Sequence, residues 1–350
     1  MNRSVLVTGS SGLIGSEAVV SFDRLGYRVL GIDNNMRADF FGPMGDTSWN
    51  LRRLQSITRK FEHFNLDIRD RAVIVAFFKQ HRPDVIVHCA AQPSHDLAKE
   101  RPFDDFDVNA GGTLNLLEAA RQFAKESPFL FMSTNKVYGD APNEVPLREF
   151  ECRYDYANHE DYQGIPETCR IDRCLHTLFG SSKVAADVMT QEYGRYFNMP
   201  TVCFRGGCLT GPQHSGVELH GFLSYLVKVA VEGKTYRIFG YKGKQVRDQI
   251  HSEDVIGAML AFIQAPRAGE VYNLGGGRES NASLLECIGK IEQRIGRRIA
   301  TEYVPQNRSG DHICYISDLT KLKSHYPKWR LEHRVDDIID EMLAKESVAR

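Results

Sequence analysis

Between residues 8 and 15 the chain reads Thr8-Gly9-Ser10-Ser11-Gly12-Leu13-Ile14-Gly15, three glycines at a spacing of three. The stretch follows the apolar run Ser4–Val7 directly and opens a helical pattern from Leu13 to Leu25. A strand that turns straight into a helix through glycines leaves few folds open. The glycines permit a tight turn, close approach of backbone to a pyrophosphate, and close packing of helix on strand. The helix start adds free N–H groups and a partial positive charge for phosphate. A second apolar run, Tyr27 to Ile32, ends at Asp33. An acid there holds both ribose hydroxyls and repels a 2′-phosphate, which predicts NAD rather than NADP. A glycine triplet alone is compatible with a plain turn; strand, helix and acid together argue against that reading.

The rest of the first half continues in the same rhythm. Strands are expected at Phe61–Leu66, Asp84–His88 and Phe129–Met132, with helices at Asp70–Gln80 and Asp107–Ala124 between them. Runs that are apolar throughout suit parallel strands covered on both faces. Asp67 and the segment Cys89-Ala90-Ala91-Gln92 fall at carboxyl ends of strands, where open α/β sheets bind ligands. Glu144–Thr177 is polar and weakly periodic and reads as a long loop. A helix Phe179–Phe197 and a strand Thr201–Phe204 follow. Past Gly211, helices near 217–232, 252–264 and 281–294 alternate with short strands near 236–239, 245–249 and 271–274. The expected architecture is a Rossmann-type doubly wound parallel sheet over 1–210, with contributions from about 240–270, and a smaller C-terminal α/β substrate domain over 211–350.

Composition narrows the partners. Lys plus Arg is 44 and Asp plus Glu is 45, a net charge of −1, without the basic excess of a nucleic-acid binder. No apolar run approaches the ~20 residues of a membrane helix. No CxxC pair occurs among the eight cysteines, and Cys169–Cys174 and Cys203–Cys208 lack partner clusters, so no metal site is expected. These features point to a cytoplasmic protein with reduced thiols.

The glycine spacing, Asp67-Ile68, His88-Cys89-Ala90-Ala91, Asn109-Ala110-Gly111-Gly112-Thr113, Ser133-Thr134-Asn135-Lys136-Val137-Tyr138-Gly139 and Gln245-Val246-Arg247-Asp248 together resemble the extended short-chain dehydrogenase/reductase superfamily. Gly211-Pro212, Tyr272-Asn273-Leu274-Gly275-Gly276 and Arg308-Ser309-Gly310-Asp311 extend the likeness over nearly the whole chain. Within it, Ser133–Asp140, the insert before Phe179 and the Ser182-Lys183-x-Ala185-Ala186-Asp187 run are most similar to the CDP-paratose 2-epimerases, also called CDP-tyvelose epimerases. The sugar-nucleotide 4,6-dehydratases carry an acid pair where this chain has Asn135 and Lys136, which counts against elimination of water. The resemblance implies an NAD-dependent epimerase of a nucleotide sugar, acting as a homodimer or homotetramer in carbohydrate biosynthesis. It implies cofactor contacts from Gly9, Ser11, Gly12, Leu13, Ile14, Gly15, Asp33, Asn34, Asn35, Arg37, Asp67, Ile68, Ala90, Ala91, Gln92, Asn109 and Lys183. It implies substrate contacts from Asn135, Lys136, Arg205, His220, Gln245, Arg247, Arg308 and Asp311, with Thr134 at the reacting oxygen. Guanidinium groups such as Arg247 and Arg308 grip phosphate oxygens bidentately.

The superfamily's catalytic pair is a tyrosine four residues before a lysine on one helix. There the lysine depresses the phenol's pKa and the phenolate takes the hydroxyl proton. Lys183 matches the lysine, and Phe179 stands in the tyrosine's place. Cys208 likewise replaces an asparagine that follows Arg205 in the family pattern. Three readings stand open: a Tyr→Phe change made to trap a complex, a natural subgroup using another base, or a non-catalytic binding protein. The candidate replacement bases are His95, Asp96, His176, His214 and Lys183 itself.

Overall fold

The computed structural model describes residues 3–214, 216, 221–308 and 310–348. Seven parallel strands make the central sheet, in the spatial order Glu270–Leu274, Thr201–Gly206, Phe129–Thr134, Val85–His88, Ser4–Thr8, Arg28–Ile32, Phe61–Phe64. Chain order reverses between Ser4–Thr8 and Val85–His88, the switch point beside which doubly wound sheets bind ligands. Both faces are covered, so neighbouring residues of one strand enter different cores. Val5, Val7, Val29 and Val87 pack on one side with helices Leu13–Arg24 and Ser252–Gln264. Leu6, Leu30 and Ile86 pack on the other with Arg71–His81, Gly112–Phe123 and Leu178–Phe197.

A third core lies outside this sheet. Helices Phe222–Glu232, Leu284–Ile295 and Val335–Val348 close around Tyr236 and Ile238 of a parallel strand pair, Tyr236–Phe239 with Thr301–Val304. Strand Val246–His251 connects the regions, pairing with Cys208–Thr210, Asn281–Ser283 and Cys314–Tyr315.

Several elements differ from the sequence-based expectation. Strand Glu270–Leu274, expected among the elements of the cap, is the seventh strand of the main sheet, paired with Thr201–Gly206. The expected helix Asp107–Ala124 opens with a wider turn over Asp107–Gly111 before the regular helix Gly112–Phe123. Gly112 there passes so close to Ile68 that a Cβ would lie 2.5 Å from its Cδ1. The loop 144–177 contains a hairpin of Leu147–Glu149 with Tyr154–Tyr156, strands of 3 residues and too short for alternation to register. The helix expected over 217–232 runs from Phe222, and 217–220 lie outside the described residues. Helices Met36–Phe41, Ser48–Ile57 and Val335–Val348 had no counterpart in that expectation.

Candidate active site

A cavity of about 430 Å³ runs along the carboxyl ends of the strands. The glycine turn forms one end. Gly9 has φ +66°, and a Cβ on it would lie 2.8 Å from the Ala90 nitrogen; one on Gly15 would lie 2.0 Å from the Gly9 oxygen. Side chains are excluded at both positions, so backbone from Ser11 to Ile14 is presented to the cavity. Asp33 is fixed beside it: Oδ2 accepts the Ser11 N–H at 2.9 Å and Oδ1 accepts the Asn35 N–H at 2.8 Å. Each oxygen keeps a further acceptor position for a ribose hydroxyl. Asn34, Arg37, Asp67, Ile68, Ala90 and Ala91 line the same end. Burial pushes the Arg37 guanidinium down to about 10. The excluded Cβ positions and the anchored acid fit an adenosine pyrophosphate. Asp33→Ala is expected to weaken NAD by about 1.5–3 kcal/mol, the value of a charged hydrogen bond, and to narrow its lead over NADP. Calorimetric titration of stripped protein with both cofactors checks this, and equal binding by the unaltered protein would overturn the assignment.

The middle of the cavity carries Thr134, Phe179 and Lys183. Thr134 ends strand Phe129–Thr134, and its Oγ1 accepts the Lys136 N–H at 3.2 Å. Lys183 is 5% exposed; its Nζ donates to the Met132 oxygen at 3.0 Å and lies 4.7 Å over the Phe131 ring. Burial pushes its amine down to about 8, against the opposing pull of Cys89, Asp105 and Asp187. Phe179 sits on the same helix, Leu178–Phe197, capped by the Thr177 side chain. Its ring meets the His95 ring edge-on, centroids 4.9 Å apart.

The far end is cationic. Lys136, Arg247 and Arg308 converge there with Asp311. Arg247 donates to Asp311 Oδ1 at 2.6 Å, and the Lys136 amine lies 3.9 Å from the same oxygen. Burial would raise the Asp311 carboxyl, but Arg247, Lys136 and Arg308 hold it well below the ordinary carboxylate range. Burial also pushes the Lys136 amine down to about 8. A smaller cavity of about 90 Å³ shares Arg247, Arg308, Asp311 and Phe222 and is walled by Tyr236, Phe239 and Gln245. Sequence reasoning missed Phe222, Tyr236 and Phe239, whose aromatic character was the available signal.

Other expected site residues stand behind the wall. Asn35 is engaged with Asp46 and Thr47. Gln92 and Asn109 are buried and bonded to each other and to Asp105, with Asn109 also donating to Ser182. They shape the segment from Cys89 to His95 and do not line the cavity. Arg205, expected at the sugar, is locked in a buried ion pair with Asp187 at 2.8 Å, its guanidinium 4.9 Å over the Tyr138 ring. A strand interior next to a buried carboxylate claims the guanidinium that sequence reasoning assigned to substrate. Of the candidate bases, His95 and His214 line the cavity, whereas His176 is held by the Ile171 oxygen and Asp96 pairs with Arg308. His220 lies outside the described residues. Away from the cavity, His251, Glu253 and His333 bring ligand-type atoms within 4.8 Å of one another. His251 Nδ1 accepts the Glu253 N–H and its Nε2 lies 3.1 Å from Glu341, so this group joins helix Ser252–Gln264 to helix Val335–Val348.

The model of the NAD dependent epimerase/dehydratase family matches residues 5–275. The CDP-paratose 2-epimerase of Salmonella typhi is 32% identical over 326 residues, covering 91% of this chain and 92% of that protein. A dTDP-glucose 4,6-dehydratase of Escherichia coli K12 is 29% identical over 325 residues, covering 90% of this chain and 81% of the relative. The solved UDP-glucuronic acid 4-epimerase of Bacillus cereus, in complex with UDP-glucuronic acid and NAD, superposes with a TM-score of 0.80 at 22% identity, covering 99% of this chain and 100% of that one. The fold is therefore that of the epimerases and dehydratases, and the dinucleotide expected from the first turn is the family's cofactor. With its glycine cradle, anchored acid and matching model over most of its length, the chain belongs to the NAD dependent epimerase/dehydratase family.

Proposed function

We propose that this chain is an NAD-dependent epimerase of a nucleotide-diphosphate sugar, of the CDP-paratose 2-epimerase kind. The observation that carries the reading is a single cavity joining the dinucleotide cradle to the cationic cluster of Lys136, Arg247 and Arg308. A diphosphate seated on that cluster sets its sugar against Thr134 and Lys183, and its base faces Phe222, Tyr236 and Phe239 in the adjoining small cavity. Bound NAD supplies a hydride acceptor and donor. The protein's part is to hold the sugar hydroxyl at Thr134, to place the Lys183 charge beside the reacting centre, and to keep the keto sugar from leaving while it turns over. Asn135 and Lys136 stand where dehydratases carry acids, so the strand end supplies no carboxyl pair for eliminating water. Exposed Phe103, Phe106 and Tyr196 suit a homodimer contact.

NMR of CDP-linked 6-deoxy and 3,6-dideoxy sugars incubated with the protein tests this. Inversion at one carbon, with no net NADH, is expected. A product lighter by one water, or stoichiometric NADH, would replace the reading with a dehydratase or an oxidoreductase. Arg247→Ala and Arg308→Ala are each expected to cost on the order of 1.5–3 kcal/mol of sugar-nucleotide binding while leaving NAD binding nearly intact. Calorimetry distinguishes the two clefts: a fall in NAD affinity instead would reverse their assignment.

A further inference from the structure

The cavity has a hydroxyl at Thr134 and an amine at Lys183, but no phenol at position 179. What stands against Phe179 is the His95 imidazole, from the segment that follows strand Val85–His88. Its surroundings come from three parts of the chain. Thr177, the cap of the helix that carries Lys183, holds Nδ1 through Oγ1 at 3.0 Å. Gly310, whose oxygen accepts from Lys136 at 2.8 Å, backs the ring closely enough that a Cβ there would lie 3.8 Å from Nδ1. Phe179 closes one side of the ring edge-on. Among the described residues the Thr177 contact is the hydrogen bond made by this ring, and the residue lines the cavity. Nε2 is thus left for a ligand: with Nδ1–H donating to the Thr177 hydroxyl, which accepts in the neutral ring and in the imidazolium alike, Nε2 is the acceptor nitrogen.

We propose that His95 takes the proton which a phenol at position 179 would otherwise take. The proposal rests on the epimerase reading given above. In the forward half, the sugar O–H bond breaks toward Nε2 as the adjacent C–H hydride passes to the nicotinamide of NAD, leaving a keto sugar, an imidazolium and NADH. In the return half, hydride is delivered to the other face of the carbonyl carbon and Nε2 returns its proton to the oxygen, restoring NAD and a neutral ring. Charged groups around the ring explain how substrate prepares it. Burial pushes the imidazole down to about 3, assisted by Lys136 and Arg308 and opposed by Asp311. A diphosphate on Lys136 and Arg308 neutralises the two cations that add to burial in holding the ring down, so the base gains strength when substrate arrives.

The test uses the full chain loaded with NAD and its sugar nucleotide. His95→Gln is expected to lower turnover by about 10²–10⁴-fold, the ordinary worth of general acid–base catalysis, while NAD and sugar-nucleotide affinities by calorimetry stay within about threefold. Adding Phe179→Tyr to His95→Gln is expected to restore much of the rate, because it puts a phenol four residues before Lys183. Independently of turnover, ¹⁵N NMR of the unaltered protein is expected to show the His95 pKa rising when CDP is added. If the unaltered protein inverts its sugar and His95→Gln does so equally well, the base assignment is wrong and the epimerase reading stands. If the unaltered protein inverts no sugar nucleotide, the epimerase reading itself fails. An unchanged His95 pKa on adding CDP would remove substrate activation of the ring.

Discussion

Replacing Lys183 with Met is expected to lower turnover by about 10²–10³-fold, the usual effect of removing one preorganised charge from an active site. The argument is positional. Helix Leu178–Phe197 holds Lys183 against Met132 and over the Phe131 ring, next to Thr134 at the end of the same strand. The amine therefore cannot swing out to solvent, and burial works against its charge, pushing it down to about 8. Sign matters here. A lowered lysine pKa means the charged form dominates below about 8 and is lost above it. The rate of the unaltered protein should then fall as pH rises through that region, and the Met variant should lack this limb. Lys183→Arg should not rescue, because the planar guanidinium does not fit a site built around one bond to a backbone oxygen. Steady-state kinetics across pH, with nucleotide-sugar binding measured in parallel, checks the claim. Turnover by Lys183→Met equal to that of the unaltered chain would mean that the lysine only packs.

The cofactor end of this site is legible in sequence because its chemistry is made by backbone. Two of the three glycines, Gly9 and Gly15, have blocked Cβ positions, and with the acid Asp33 such constraints leave a local signature in the sequence. The sheet is legible for a related reason: parallel strands buried on both faces need continuous apolar runs. The strand Glu270–Leu274 was visible as a strand, but its place at the sheet edge depends on pairing with residues some seventy positions earlier, and no local pattern carries that. Hairpin Leu147–Glu149 with Tyr154–Tyr156 escaped because its strands are short and partly exposed.

The substrate end is less legible because it is assembled from long-range contacts. Lys136, Arg247 and Asp311 are more than sixty residues apart along the chain and meet only in the folded cavity. The contact of His95 with Phe179 joins elements 84 residues apart, so a histidine in a polar segment looked like one candidate among several. Arg205 shows the opposite error. An arginine at a family position looked like a substrate contact, yet the carboxylate that satisfies it, Asp187, lies one helix away in sequence and directly beside it in space. A charged residue on a strand cannot be assigned to ligand until the buried partners of its neighbours are known.

That pair yields the largest expected effect on stability. Asp187 is completely enclosed; its carboxylate accepts from Arg205 at 2.8 and 3.1 Å, from Ser133 Oγ at 2.6 Å and from Gln191 at 2.7 Å. It thus ties helix Leu178–Phe197 to strands Phe129–Thr134 and Thr201–Gly206, just below Thr134 and Lys183. Asp187→Ala would leave the Arg205 guanidinium buried at 4% side-chain exposure without its counter-charge, and Ser133 and Gln191 without their acceptor. Removing one partner of a buried ion pair typically costs about 3–5 kcal/mol, most of it the penalty of the stranded charge. Denaturant unfolding should show that loss. The double variant Asp187→Leu with Arg205→Met should recover most of it, since replacing both charges by apolar groups of similar size is often close to neutral. Full stability in the single variant would mean that water reaches Arg205 and that the pair is not the bolt beneath the site. Recovery of stability in the double variant without recovery of turnover would show that the pair also aligns Thr134 with Lys183, a geometric role that stability alone does not report.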